Sequence, residues 1–189
     1  VIIGAGYHGC SIAFHCARAG VDTVLIDKGE IGTGASGSNF GCIQLSDTEL
    51  GLSRELNTRG FNRMESMDEE LGLSIEYRRV PSLCLARTEE EMEELQTDVS
   101  VKRKAGIHVR MLTMEEIKAC EPNLNTETVL GASYFLQAQI NPFLYMHGMV
   151  SKGIGAGLEV RENTVAEQIL EKEGRCTGVL LAGGEIIES

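Results

Sequence analysis

The feature that most constrains this chain is a run of glycines beginning four residues from its start. Residues 1–3 are apolar and β-branched, and they stop at Gly4-Ala5-Gly6-Tyr7-His8-Gly9. Beyond the glycines, Ile12, Ala13, Cys16 and Ala17 recur at helical spacing, Gly20 supplies a helix stop, and residues 21–27 are again apolar and β-branched with Asp27 at their end. The order strand, tight turn, helix, strand predicts a right-handed parallel βαβ unit. In that context Gly4, Gly6 and Gly9 form the GxGxxG pattern of dinucleotide-binding turns. The first glycine makes the turn, the second lets backbone meet a pyrophosphate, the third lets helix pack on strand, and the helix N-terminus attracts the anion. Asp27 is then placed to accept hydrogen bonds from the ribose hydroxyls of an adenosine half. Its charge disfavours a 2′-phosphate, and so NADP. The bland alternatives are a chance glycine cluster and a surface acid at a strand end.

A second glycine-rich stretch follows at once. Residues 29–41 hold Gly29, Gly32, Gly34, Gly37 and Gly41, too many for a helix or a strand interior and suited to backbone that approaches another body closely. Downstream, residues 48–71 carry leucines, Phe61 and methionines at three- and four-residue spacings, predicting an amphipathic helix that Gly60 interrupts. Residues 75–77 and 83–86 read as strands, with Pro81 marking an edge or a turn. Thr88 before Glu89-Glu90-Glu91 predicts a capped helix to Gly106 with a solvated acidic face, and Thr113 with Glu116 a short capping-box helix ending near Pro122. A strand over 129–136, a helix over 142–156 opened by Asn141-Pro142, and an antiparallel meander of four short β runs from Leu158 complete the pattern.

Composition narrows the class further. Of 189 residues, 42% are hydrophobic and 24% charged, with only 3 prolines, which fits a globular chain and excludes collagen-like or disordered classes. A net charge of −11 disfavours nucleic acid as a partner. The six cysteines show neither a CxxC pair nor zinc spacing, so no metal is expected and they read as reduced, buried thiols of a cytoplasmic protein. No apolar run approaches a transmembrane span, and no basic segment precedes the first strand as in a signal peptide. Because the chain opens inside a strand and stops after one, it reads as a fragment incomplete at its C-terminus.

The stretch Gly34-Ala35-Ser36-Gly37-Ser38-Asn39-Phe40-Gly41, directly after Asp27-Lys28, resembles the GxSxxNxG segment of the D-amino-acid oxidase-like FAD-dependent oxidoreductases. The likeness continues at residues 82–91 (SLCLARTEEE), 139–142 (QINP) and 162–169 (ENTVAEQI), so it covers essentially the whole chain. Asp27 stands where many members have Glu, and Pro81 where many have Gly. The resemblance implies an α/β fold: a Rossmann-like FAD-binding domain over residues 1–47, an inserted α+β substrate domain over 48–140, and a return to the FAD domain over 141–189. It implies FAD as cofactor, its ADP half held by Gly4, Gly6, Gly9 and Asp27. Ser36, Asn39, Gly41 and Cys42 would lie along pyrophosphate and isoalloxazine, and Lys28 and the Val165 backbone would flank adenine and ribose. The implied activity is oxidation of the C–N bond of an amino acid or secondary amine by hydride transfer to flavin N5. The alternatives are a glycerol-3-phosphate dehydrogenase type and a flavin-binding electron-transfer subunit of a larger complex. The substrate partner is a small molecule, and the electron acceptor (oxygen, quinone or a partner subunit) is left open.

Flavin chemistry needs no side-chain nucleophile, and no Ser/His/Asp or Cys/His signature is present. The catalytic residues are unknown and expected beyond Ser189. His8, inside the turn, is a bystander or a cofactor contact. Met64 and Met67 fit core packing, and Arg78 and Arg79 fit an exposed edge strand better than a carboxylate clamp.

Overall fold

A computed structural model describes residues 1–45 and 48–188. The expected boundary at residue 47 and the terminal Ser189 lie outside the described residues. In chain order the first elements are β1 (Ile2–Ile3), α1 (Tyr7–Arg18), β2 (Val24–Ile26), β3 (Cys42–Ile43), α2 (Leu52–Met64), α3 (Met67–Leu71), β4 (Arg78–Ala86) and α4 (Glu89–Lys104). They are followed by β5 (Val109–Leu112), α5 (Met114–Cys120), β6 (Gly131–Gln139), α6 (Pro142–Ile154), β7 (Glu159–Arg161), β8 (Ala166–Lys172), β9 (Arg175–Leu181) and β10 (Ile186–Glu188). They form two compact units, residues 1–41, 65–77 and 140–188 in the first and 42–64 and 78–139 in the second.

The first unit is built on a parallel sheet of order β1-β2-β7, in which Ile2 and Ile3 face Leu25 and Ile26, and these in turn face Val160 and Arg161. Helix α1 buries Cys10, Ala13, Phe14 and Ala17, the i, i+3, i+4, i+7 stripe that seats a helix on a sheet. It packs on α6, where Gly153 faces the Phe14 backbone; a Cβ there would lie 2.8 Å from the Leu158 side chain. Strands β8, β9 and β10 form an antiparallel meander whose Val179, Leu181 and Ile187 close over Ile26. The tight turn at Glu173 (φ 54°) and Gly174 (φ 74°) suits such a hairpin. Here the expected four-run meander is corrected. The run after Leu158 joins the parallel sheet beside β2, because Leu158 is itself buried against α6 and holds the chain there.

The second unit is a four-stranded antiparallel sheet of order β3-β6-β4, with β5 also on β6. β4 and β6 pair along nine residues each, and Pro81 sits within β4, an edge strand that tolerates the lost donor. One face carries Leu83, Leu85, Ala132 and Tyr134 under Ile117 of α5; Ser82, Cys84, Ser133, Phe135 and Gln137 lie on the other, which α4 approaches. Thr88 and Thr113 each close a complete capping box, with Glu91 and Glu116, as their spacing predicts.

Three expectations fail locally. Residues 75–77 are not a strand: Glu76 adopts φ 59°, and Asp68 holds the segment by accepting from the Ile75 N–H (2.9 Å) and the Ser74 hydroxyl (3.0 Å). The amphipathic helix over 48–71 is two helices that break at residues 65–66, not at Gly60. Leu50, Leu52 and Leu56 are exposed, so spacing overstated the apolar stripe. Only Cys10 of the six free cysteines is buried; Cys42, Cys84, Cys120 and Cys176 are exposed on strands or helix ends whose inner faces other residues fill.

Candidate functional site

The glycine turn is shaped by a left-handed backbone at Gly4 and by close contacts at Gly6 and Gly9. Gly4 has φ 104°, and its N–H donates to the Ile26 carbonyl at 2.8 Å, tying the turn to β2. A Cβ on Gly9 would lie 1.7 Å from the Gly4 carbonyl oxygen, so helix and turn touch through bare backbone; a Cβ on Gly6 would lie 2.7 Å from Ser36 Oγ. Helix α1 starts at Gly6 without a side-chain cap and with no acid in its first turn. Its first turn therefore presents a positive end that no acid of the helix itself offsets.

Asp27 ends β2 beside that turn. Its Oδ2 accepts from the Ala5 N–H (2.6 Å) and its Oδ1 from the Gly29 N–H (2.8 Å). A carboxylate offers about four lone-pair positions, so about two remain for a ligand's hydroxyls. The neighbouring Cys10 thiol, whose Sγ donates to the Ala5 carbonyl at 3.4 Å, is pushed up to about 12 by burial and then by the Asp27 charge, and stays protonated.

The second glycine loop is held by side chains. Ser36 Oγ accepts from the Tyr7 N–H (3.1 Å), fastening the loop to the first turn of α1. Asn39 donates to the Ala35 and Ser36 carbonyls (3.2 and 2.7 Å), and its Oδ1 accepts from the Gly41 N–H (2.8 Å) and the Tyr7 hydroxyl (3.4 Å). Gly41, at φ 66°, would put a Cβ 2.0 Å from the Ile140 carbonyl oxygen. Phe40 between them is 91% exposed. Val165 is brought to the end of β2 by its neighbours, since the Thr164 N–H donates to the Asp27 carbonyl (2.7 Å) and the Asn163 N–H to that of Gly29 (3.0 Å). Lys28 is exposed beside Asp27.

The turn glycines, Asp27, Lys28, Ser36, Asn39, Gly41 and Val165 thus belong to one unit. Cys42 falls in the other, on β3, where it accepts a hydrogen bond from the Gln139 amide at 3.7 Å. His8 is exposed at the start of α1.

Three contributors escaped the sequence reading. Tyr7, a variable position of the glycine motif, joins turn and loop through its N–H and its hydroxyl, whose pKa burial raises against the lowering effect of Asn39; its ring centroid is 6.0 Å from that of Tyr145. Glu162 accepts from the Ile31 N–H at 2.8 Å across 131 residues, a link with no local signal. Tyr77 has a buried hydroxyl with no hydrogen-bond partner among the described residues, and only the tertiary structure shows that burial. Among the described residues no cluster of His, Cys, Asp and Glu could hold a metal, and no helix is long and apolar enough to cross a membrane.

A parallel βαβ unit with a glycine-rich turn at a helix N-terminus that has no side-chain cap, followed by a carboxylate, defines an α/β nucleotide-binding protein. The chain belongs to the FAD dependent oxidoreductase family, whose pattern matches residues 1–189, and FAD is the cofactor that name carries. It is 27% identical over 186 residues to the 4-methylaminobutanoate oxidase (formaldehyde-forming) of Paenarthrobacter nicotinovorans, covering 97% of this chain and 22% of that protein. To the mitochondrial pyruvate dehydrogenase phosphatase regulatory subunit of Mus musculus it is 26% identical, covering 98% of this chain and 21% of the relative. The crystal structure of glycine oxidase from Geobacillus kaustophilus superposes with a TM-score of 0.89 at 26% identity, over all of this chain and 52% of that one. The chain therefore spans about a fifth of the two curated relatives and about half of the solved enzyme.

Proposed function

We propose that the first unit holds FAD and that the protein oxidises the C–N bond of an amino acid or secondary amine. The observation that carries the reading is the pairing of a glycine-capped helix N-terminus, free of acids in its first turn, with a carboxylate that keeps acceptor positions free, one suited to a pyrophosphate and the other to ribose hydroxyls. Gly4 and Gly9 would shape the turn so that the backbone at Gly6 and the start of α1 meet the pyrophosphate, and Asp27 the ribose, with Lys28 and the Val165 backbone beside the adenosine. Ser36, Asn39, Gly41 and Cys42 would follow the cofactor toward its ring. When bound, FAD supplies the hydride acceptor. The chain's own part is to bind it, to fix its ADP half through backbone amides that need no reorganisation, and to keep the loop over 34–41 in one shape through Asn39. We assign the second unit to the inserted substrate layer. The names of the two oxidases support the substrate class.

The test is the visible spectrum of the purified protein, followed by flavin bleaching with a panel of amino acids, N-methylated amines and glycerol 3-phosphate under exclusion of oxygen. Bleaching by an amine or amino acid is expected. A colourless protein that takes up NAD in place of FAD would overturn the cofactor assignment, and bleaching by glycerol 3-phosphate alone would replace the substrate class. The likeness to a regulatory subunit favours a second reading, a flavin-holding subunit without substrate turnover, which a yellow protein bleached by no member of the panel would establish.

A further inference from the structure

The second unit contains a cavity that the reading above does not use. It lies on the sheet face carrying Ser133, Phe135 and Gln137, beneath the end of α4, with a volume of ≈ 240 Å³. Sites for drug-sized ligands run from about 300 to 1,000 Å³, so this one suits a molecule of fewer than about ten heavy atoms. Its polar lining is unusual for the inside of a small unit. Gln137 is 4% exposed and Ser133 2%, yet neither side chain forms a hydrogen bond among the described residues. Both open onto the cavity. Buried amides and hydroxyls are ordinarily paired, and such a pair left open marks a place where a ligand or ordered water completes the bonding.

The cavity's charges are one of each sign. Lys102 Nζ and Asp98 Oδ2, one helical turn apart on α4, lie 2.6 Å from each other at its edge, with Lys102 18% and Asp98 46% exposed. An anion entering alone would meet Asp98, and a cation alone would meet Lys102. A zwitterion exchanges the pair for two new ones, its carboxylate on the Lys102 ammonium and its ammonium on the Asp98 carboxylate, so no charge is left unmatched. Asp98 keeps that pair in reach of water, which weakens it and eases the exchange. Ile107, Val109 and Phe135 add an apolar wall.

We propose that this cavity is a binding site for a small apolar α-amino acid in its zwitterionic form, with Lys102 and Asp98 taking the two charged groups, Gln137 and Ser133 the remaining hydrogen bonds, and the wall the side chain. The proposal does not rest on flavin binding, since every residue it uses lies in the second unit.

The test is calorimetric titration of flavin-free protein with L-valine, isovalerate and isobutylamine. Saturable binding of valine is expected, with each half-ligand at least tenfold weaker. Lys102→Met should weaken valine binding at least tenfold, Lys102→Arg should restore most of it, and Gln137→Leu should give an intermediate loss. Lys102 is largely covered where it lines the cavity, so circular dichroism melting of each variant checks that the fold is kept. The proposal is overturned by the absence of saturation with valine, which would leave a cavity filled by water only. Equal binding of isovalerate and valine, or undiminished binding by Lys102→Met, would overturn it too; the latter would place the amino acid elsewhere in the protein.

Discussion

The two glycine-rich regions of the first unit share bare backbone contacts, and the second adds a frame of side-chain hydrogen bonds. In the turn from Gly4 to Gly9 the shape comes from what is absent: φ 104° at Gly4, and a helix lying on the Gly4 carbonyl where Gly9 has no Cβ. In the loop over 34–41 such contacts recur, with a Cβ on Gly37 2.2 Å from the Gly32 carbonyl oxygen and one on Gly41 2.0 Å from that of Ile140, and side chains add to them: Asn39 alone ties four groups and Ser36 fastens the loop to Tyr7. Backbone contact tolerates no graded change. Side-chain hydrogen bonds, each worth about 1 kcal/mol net, can be removed one at a time.

Substitutions can break that contrast. Gly9→Ala should have the largest effect, because its Cβ would meet backbone that cannot turn aside. A loss of about 3 kcal/mol or more, beyond ordinary overpacking, is expected in denaturant unfolding, together with loss of bound flavin. A fully stable, yellow Gly9→Ala protein would show that the turn does have room. Asp27→Ala removes two acceptors from the Ala5 and Gly29 amides and, on the reading above, two from the ribose; a loss of roughly 1.5–3 kcal/mol in FAD affinity is expected by titration. Asn39→Ala should soften the loop and leave the turn intact. About 1–2 kcal/mol of stability is expected to go, discounted for exposure, with flavin weakened but retained.

The smallest effect concerns Cys10. With its thiol pushed up to about 12, it should stay unmodified by a thiol reagent at pH 8, while exposed Cys42, Cys84, Cys120 and Cys176 react, as mass spectrometry of the labelled protein would show. The folded state holds the Cys10 proton more tightly than the unfolded chain does. Its contribution to stability is therefore complete below the ordinary thiol range and is lost as pH rises toward about 12. Cys10→Ala should flatten that alkaline loss in unfolding measurements made across the same range.

Local chemistry made much of this molecule legible from its residues. The βαβ opening, both capping boxes and the hairpin turn at Glu173-Gly174 follow from periodicity, from Thr and Glu three residues apart, and from glycine at left-handed positions, all of which act within one or two turns of chain. The likeness in residues 34–41 marks Ser36 and Asn39 as site residues, while their hydrogen bonds belong to the folded loop. What escaped was set by contacts distant in sequence. Pattern alone could not tell that Leu158 would carry its strand to the parallel sheet, that Glu162 would reach Ile31, or that Leu50, Leu52 and Leu56 would stay exposed while Phe61 went inside. The sequence by itself determined where backbone must turn and where a helix must begin, because those depend on φ, on Cβ and on caps. Only the tertiary structure decided which of several equally apolar segments found a partner, because burial belongs to pairs of surfaces and each segment encodes only one of them.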